Sequence, residues 1–373
     1  MRKIRAKTSL LGSLGLLMTL GLLGSSAAAA QPPSDLELAR YHAPIHYQDT
    51  DSTKYKGDYI TNFNYDNDWR GDNNWDNLSK FPLKAYGYYS VVETCTHNFI
   101  LYSFFHPQDW SDSSVGRDEH ENDMEGLLTI VRKDGSTFGK LEGIVTVAHA
   151  DFYSYTPPGS PLKNGAEDID GTLTMQSYTD SLHPLTAQEA KGHGLKAWPF
   201  IKDFTGGSNQ DGIIYFPSRT TAEVPDSGND RNVKYQLIDL FSPGGLWERQ
   251  LQEAPLSEAT ASTYASWGTF KGNDSGGCGS GLFGRCGKNG ANSPWGWNDH
   301  DDGSVHTGEM ALDPAHLVEV YFKGLGNFDR KYIRNRYISD LKAKGYGPGK
   351  VPRGWDNKLN IGELFNKQKT QCP

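Results

Sequence analysis

His120, Asp123 and Glu125 fall within six positions of one another in the stretch HENDMEG, residues 120–126. Asp109 stands eleven positions before the histidine, in FFHPQDW. Three carboxylates drawn within a few ångströms raise one another's pKa, so they need either a shared proton or a cation between them. Carboxylate oxygens with one imidazole nitrogen suit a divalent ion, and favour magnesium, calcium or manganese over zinc. The apolar run LLTIV that follows reads as a strand. If it starts near Asn122, Asp123 and Glu125 point to one face and Met124 to the other. His120 then lies in the preceding turn, and Asp109 ends the aromatic strand before it. Pairing of the two strands would gather Asp109, His120, Asp123 and Glu125 as ligands.

Two other stretches have the composition of a site. EAKGHGLKAWP sets His193 between glycines, which let the backbone approach a ligand and let the imidazole join the same cleft. SPWGWNDHDDGSVHTGE follows the spacing of a calcium loop through Asn298, Asp302, Gly303 and Glu309. Asn298 replaces its first aspartate, His300 takes its third position and no helix precedes it, so an EF-hand is not expected. A calcium-stabilised loop using Asn298, Asp302 and Glu309 is the remaining expectation there. Trp295 and Trp297 either line a groove beside it or pack beneath it. The Asp- and Asn-rich YDNDWRGDNNWDNL reads as a solvated loop built on Asx turns, with Arg70 in a would-be ligand position. The chain has no nucleophile elbow, H-E-x-x-H pair, P-loop or dinucleotide fingerprint.

The elements that must position these residues are mostly strands. AYGYYSVVET, HNFILYSFF, GIIYFP and VKYQLIDL are rich in β-branched and aromatic residues. LLTIVRKDGSTFGKLEGIVTVAH reads as a hairpin with an Asp-Gly bend. Glycine-rich loops separate later segments, between Gly206 and Gly212 and between Gly272 and Gly290. Helical pattern is confined mainly to DPAHLVEVYFKGL, with Asp313 as N-cap and Pro314 at N1, and to RKYIRNRYISDLKAKG. The expected fold is mainly β, an antiparallel β-sandwich with peripheral helices near the C-terminus.

Residues 1–30 carry a basic start, an apolar core and a small-residue end, the pattern of a signal peptide. Residues 31–373 then form a single secreted domain with a C-terminal extension. The formal net charge of −8 becomes −12 once Arg2, Lys3, Arg5 and Lys7 are removed. An acidic surface disfavours nucleic-acid partners. No later segment has the length and apolarity of a membrane span. Four cysteines in an exported chain are expected to pair. A Cys278–Cys286 bridge closing CGSGLFGRC is favoured, with Cys95 and Cys372 either paired or free.

The stretch YSFFHPQDW…HENDMEGLLTIV…VTVAHADFY resembles the central region of the necrosis- and ethylene-inducing-peptide-like proteins, secreted β-sandwich cytolysins with a His-x-x-Asp-x-Glu hallmark. It is also similar to a vacuolar-sorting protein family with a His-Glu-Gly-Asp-Trp-Glu stretch and a glycine-flanked histidine comparable to His193. The longer architecture looks like that of uncharacterised secreted bacterial and fungal proteins. The cytolysin resemblance implies that Asp109, His120, Asp123 and Glu125 hold a divalent cation that contacts a sphingolipid headgroup. It also implies that His149 matches the histidine after the hairpin. Asn122 and Met124 depart from the cytolysin motif, which has a second histidine and a tryptophan there, and the likeness spans only about Phe99 to Tyr153.

Three functions follow as expectations. The first is a secreted metal-binding protein for a lipid headgroup or glycan, cytolysin-like in the extreme. The second is a metal-dependent hydrolase of phosphoesters or glycans with His149 or His193 as acid or base. The third is an extracellular module with a structural cation.

Overall fold

The computed structural model describes residues 31–51, 54–111, 119–200, 212–252, 263–273, 291–302, 305–355 and 359–373. The signal-peptide expectation, the Cys278–Cys286 bridge and most of the two glycine-rich loops lie outside these residues.

Seventeen strands are described. The first six are β1 (Ile45–Gln48), β2 (Tyr86–Thr94), β3 (His97–Asp109), β4 (His120–Arg132), β5 (Lys140–Ala148) and β6 (Asp151–Thr156). The short β7 (Lys163–Asn164) precedes β8 (Ile169–Thr172), β9 (Met175–Tyr178), β10 (Ser181–Gln188) and β11 (Leu195–Ala197). Then come β12 (Ile213–Pro217), β13 (Val233–Asp239), β14 (Tyr264–Ser266), β15 (Thr269–Phe270), β16 (Phe322–Lys323) and β17 (Tyr332–Arg334). Thirteen of them make one sheet, in the order β11-β10-β1-β12-β13-β2-β3-β4-β5-β6-β8, with β9 beside β10 and β17 beside β2.

The hairpin reading holds: β3, β4, β5 and β6 pair antiparallel in succession. The wholly antiparallel sandwich does not. The pairs β1–β10, β12–β13, β13–β2 and β6–β8 are parallel, so the main sheet is mixed. Parallel pairing requires long crossovers, and local alternation carries no information about them.

Alternation along β3 shows why the sheet needs cover on both faces. Phe99, Leu101 and Phe105 enter one hydrophobic cluster, and Ile100, Tyr102 and Phe104 enter another. A strand buried on both sides reads as an unbroken apolar run rather than an in–out pattern. Leu317, Val318 and Tyr321 from helix Pro314–Tyr321, and Tyr337, Ile338 and Leu341 from helix Arg336–Ala343, fill the first cluster. The C-terminal extension is therefore one wall of the core.

Two local expectations shift. Asp313 and Pro314 do start their helix, but the Asp313 side chain makes no cap and instead accepts from the Tyr332 hydroxyl at 2.5 Å. The stretch RKYIRNRYISDLKAKG divides into β17 and a helix capped by Asn335, whose side chain accepts from the Ile338 N–H. Cys95 and Cys372 are paired, with Cα atoms 5.5 Å apart, which ties the C-terminal end to the turn between β2 and β3.

Candidate metal-binding cleft

The β3–β4 register sets Asp109 opposite His120, Gln108 opposite Glu121 and His106 opposite Asp123. Pro107 and Asn122 interrupt the ladder between these pairs, where proline has no N–H to give. Asn122 has a left-handed φ of 61°, and its side chain is drawn away from the cleft. Its amide donates to the carbonyls of Gly71 (2.7 Å) and Lys271 (2.9 Å), and its Oδ1 accepts from Asn74 (2.6 Å). The supposed solvated loop near Asn74 thus packs a buried asparagine onto β4, although its Asx turns at Asp66 and Asp68 are present.

Asp109, His120, Asp123, Glu125, His149 and Trp297 line one cleft of about 230 Å³. His120 Nδ1 lies 2.7 Å from the Asn122 carbonyl, which must accept, so Nδ1 carries the proton. Its Nε2 faces Asp109 Oδ2, 3.4 Å away. An imidazole nitrogen beside carboxylate oxygens is a donor set that a divalent cation can draw on.

Asp123 is held in place by a buried chain. His193, with no exposed surface, reaches Asp123 Oδ2 through Nδ1 at 2.9 Å and Asp58 Oδ1 through Nε2 at 3.3 Å. Its ring stacks on that of His106 at 3.8 Å, and His106 Nε2 lies 3.1 Å from Gln188 Oε1. Burial disfavours the His193 cation, but the bonds to Asp123 and Asp58 outweigh it and push His193 up to about 10. Burial likewise opposes the Asp123 carboxylate, and the His193 bond overcomes it to hold Asp123 below the usual range. Asp123 therefore meets the cleft as an anion.

Glu125 is placed by backbone donors. His149 N–H donates to its Oε1 at 2.7 Å and Leu195 N–H to its Oε2 at 3.0 Å. Burial first, and then the Asp123 charge, push Glu125 well above the ordinary carboxyl value. His149 is exposed at the rim, with Nε2 2.5 Å from Glu189 Oε1. That bond raises the imidazole against the opposing effect of burial. Asn122, His149, Lys191 and His193 all have positive φ, between 56° and 74°. Strained non-glycine backbone gathers around functional sites.

Across the cleft, Trp297 Nε1 donates to the carbonyls of Met124 (2.9 Å) and Asn292 (3.0 Å). Trp295 is fully buried, so of the two tryptophans only Trp297 reaches the groove. The calcium-loop spacing does not converge. Asn298 accepts from Thr307, Asp302 lies beside Glu167, and Glu309 accepts from His316 at 3.0 Å.

The four expected ligands line one cleft, with His120 Nε2 and Asp109 Oδ2 3.4 Å apart. Among the described residues, the trio whose ligand oxygens all lie within 4.8 Å of one another is elsewhere, at Asp151, Asp299 and Asp301. The cleft has room for an ion that keeps part of its water, as magnesium and calcium do. Spacing marked the four candidate ligands but gave no sign of Asp58, His106 or Gln188. Glu189 stood unremarked in the same EAKGHG stretch as His193.

No family model and no curated protein matches the chain, so the vacuolar-sorting likeness gains no support. Solved structures similar to parts of it include necrosis and ethylene inducing protein 2 from the causal agent of cocoa's witches' broom disease. That structure is 15% identical, with 56% of this chain and 77% of that one covered and a TM-score of 0.27. The non-toxic HaNLP3 protein is 11% identical over 62% of this chain and 88% of that one, with a TM-score of 0.26. NLPPya in complex with glucosamine is 16% identical over 49% and 77%, with a TM-score of 0.25. Likenesses at these scores do not establish a shared fold.

Proposed function

We propose that the chain is a secreted protein that binds a divalent cation through Asp109, His120, Asp123 and Glu125 and offers it, at the mouth of an open cleft, to an oxygen-rich ligand such as a glycan or lipid headgroup. The observation that carries this reading is the convergence on one cleft of His120 Nε2 and Asp109 Oδ2, 3.4 Å apart, with the carboxylates of Asp123 and Glu125. A cation in such a site satisfies all of them and keeps positions open for ligand oxygens, which gives orientation without a deep apolar pocket. The N-terminal pattern of residues 1–30 supports export, and among the described residues no helix is long and apolar enough to cross a membrane.

The test is titration of chelator-treated protein with magnesium, manganese and calcium in a calorimeter. At least one of them binds with 1:1 stoichiometry at this site, and Asp123→Asn weakens it by tenfold or more. Equal affinity in the variant would end the proposal. Glucosamine, other amino sugars and sphingolipid vesicles are then screened for binding that requires the metal.

The exposed His149–Glu189 pair favours one second reading, metal-assisted hydrolysis. The ion would polarise a phosphoryl or carbonyl oxygen, and His149, oriented by Glu189, would manage the proton. Metal-dependent turnover of generic phosphoesters or glycosides, abolished in His149→Gln, would select it over simple binding.

A further inference from the structure

Asp58 has no exposed surface, and four donors from three segments of the chain converge on its carboxylate. Oδ2 accepts from the Asp51 N–H at 3.0 Å. Oδ1 accepts from the Trp110 indole at 3.0 Å, the Lys191 N–H at 2.9 Å and His193 Nε2 at 3.3 Å. Trp110 follows Asp109 in the chain, and His193 holds Asp123 through its other ring nitrogen at 2.9 Å. Lys191 precedes Gly192, which lines the cleft. One buried carboxylate thus ties together the supports of two candidate ligands and a piece of the cleft wall.

The packing around Asp58 fixes it independently of these bonds. Its turn is closed by the Gly57 N–H on the Lys54 carbonyl at 2.8 Å, and the chain after it bridges to β3 between Thr61 and Phe105. A Cβ on Gly57 would come within 2.9 Å of Trp110 Cδ1, so the absent side chain is what lets this turn lie against the indole. Trp110 is itself 1% exposed, and its backbone N–H donates to the Lys191 carbonyl at 3.2 Å. The end of β3, the Asp58 turn and the glycine-flanked loop of His193 are therefore joined in a closed ring of contacts. Such a ring has little slack, because a shift in any member leaves a buried polar or charged group unsatisfied.

We propose that Asp58 is a positioning residue that sets which divalent ion the cleft prefers, by fixing the spacing of Asp109 and Asp123 through Trp110 and His193. The inference rests on the reading of the cleft as a cation site. Asp58 does not line the cleft and acts only through the side chains that it holds. Magnesium demands near-octahedral ligands at about 2.0–2.1 Å, whereas calcium accepts more oxygens at about 2.3–2.6 Å, so ligand spacing and rigidity decide between them. Groups that orient metal ligands from behind typically control about 10–100-fold in affinity.

The test titrates chelator-treated full chain with the chlorides of magnesium, manganese and calcium in a calorimeter, for wild type, Asp58→Asn and Trp110→Phe. The readout is the ratio of affinities between the best-bound and the worst-bound ion. Lost stability lowers the binding-competent fraction by the same factor for every ion, and a lost charge acts alike on all doubly charged ions. Neither effect moves the ratio, whereas altered ligand spacing does. Asp58→Asn should weaken the best-bound ion at least tenfold and narrow the ratio at least threefold. Trp110→Phe keeps a ring in the packing but removes the indole donor, and it should narrow the ratio at least twofold. It also decides the matter alone should Asp58→Asn fail to fold. A wild-type ratio in every folded variant would overturn the proposal and leave Asp58 a purely structural group. A wild type that binds none of the three ions would instead end the cation reading itself, and this inference with it.

Discussion

His193 lies between two buried carboxylates, 2.9 Å from Asp123 and 3.3 Å from Asp58. Removing one partner of a buried ionic group leaves the others uncompensated, which typically costs about 3–5 kcal/mol. His193→Ala is therefore expected to lower unfolding free energy by that amount in a urea titration. Adding Asp58→Asn should recover part of it, because one orphaned charge is then gone. A loss in His193→Ala below about 1 kcal/mol would show that the chain of contacts is not cooperative. At this scale the sequence was half legible. His120, Asp123 and Glu125 declare themselves because i, i+2 spacing on a strand is a local geometric fact. Asp58 reaches the same place from a distant segment with no pattern around it, so only the fold could reveal it.

The strand β4 can carry the candidate site because its one glycine, Gly126, permits close packing. A Cβ on Gly126 would run into the Tyr102 carbonyl oxygen and come within 2.8 Å of the Trp297 ring. Neither neighbour can retreat: Tyr102 belongs to the adjoining β3 strand, and Trp297 is held by two backbone carbonyls. Gly126→Ala should therefore destabilise by about 1–3 kcal/mol, the usual range for overpacking a close-packed core. Because Trp297 is displaced, intrinsic fluorescence should change in the native state as well as on unfolding. An alanine variant with unaltered emission and midpoint would mean that β3 and β4 have slack there. The elements themselves were readable for the same reason that this glycine is constrained. Side chains alternate along most of β2 to β5, so apolar runs and the KDGS bend marked the strands in place. The parallel partners of β1, β10, β12 and β13 were not readable, since their pairing is set by crossovers with no local signature.

Across the whole molecule, five buried histidines are kept neutral. Burial pushes His42 down to about 4 and His46 to about 3, and it also lowers His97, His106 and His183. In the unfolded chain each takes a proton near pH 6.5, while the native state refuses it until its own lower value is reached. Their stabilisation is therefore complete above about pH 6.5 and is lost as pH falls, at about 1.4 kcal/mol per pH unit for each group while the two states differ. Glu125 and Glu167, raised by burial, act in the opposite sense, because the native state keeps their protons to higher pH than the unfolded chain does. A single-site comparison separates the two effects. His42 Nε2 donates to the Phe138 carbonyl at 2.9 Å, a bond that a glutamine amide can replace without acquiring charge. His42→Gln should thus show a stability profile between pH 6.5 and 4 that is shallower than wild type by about 1.4 kcal/mol per unit, with the two curves parallel above pH 7. Equal slopes in urea titrations at pH 7, 6, 5 and 4 would mean that the His42 pocket admits water and protonates in the folded state.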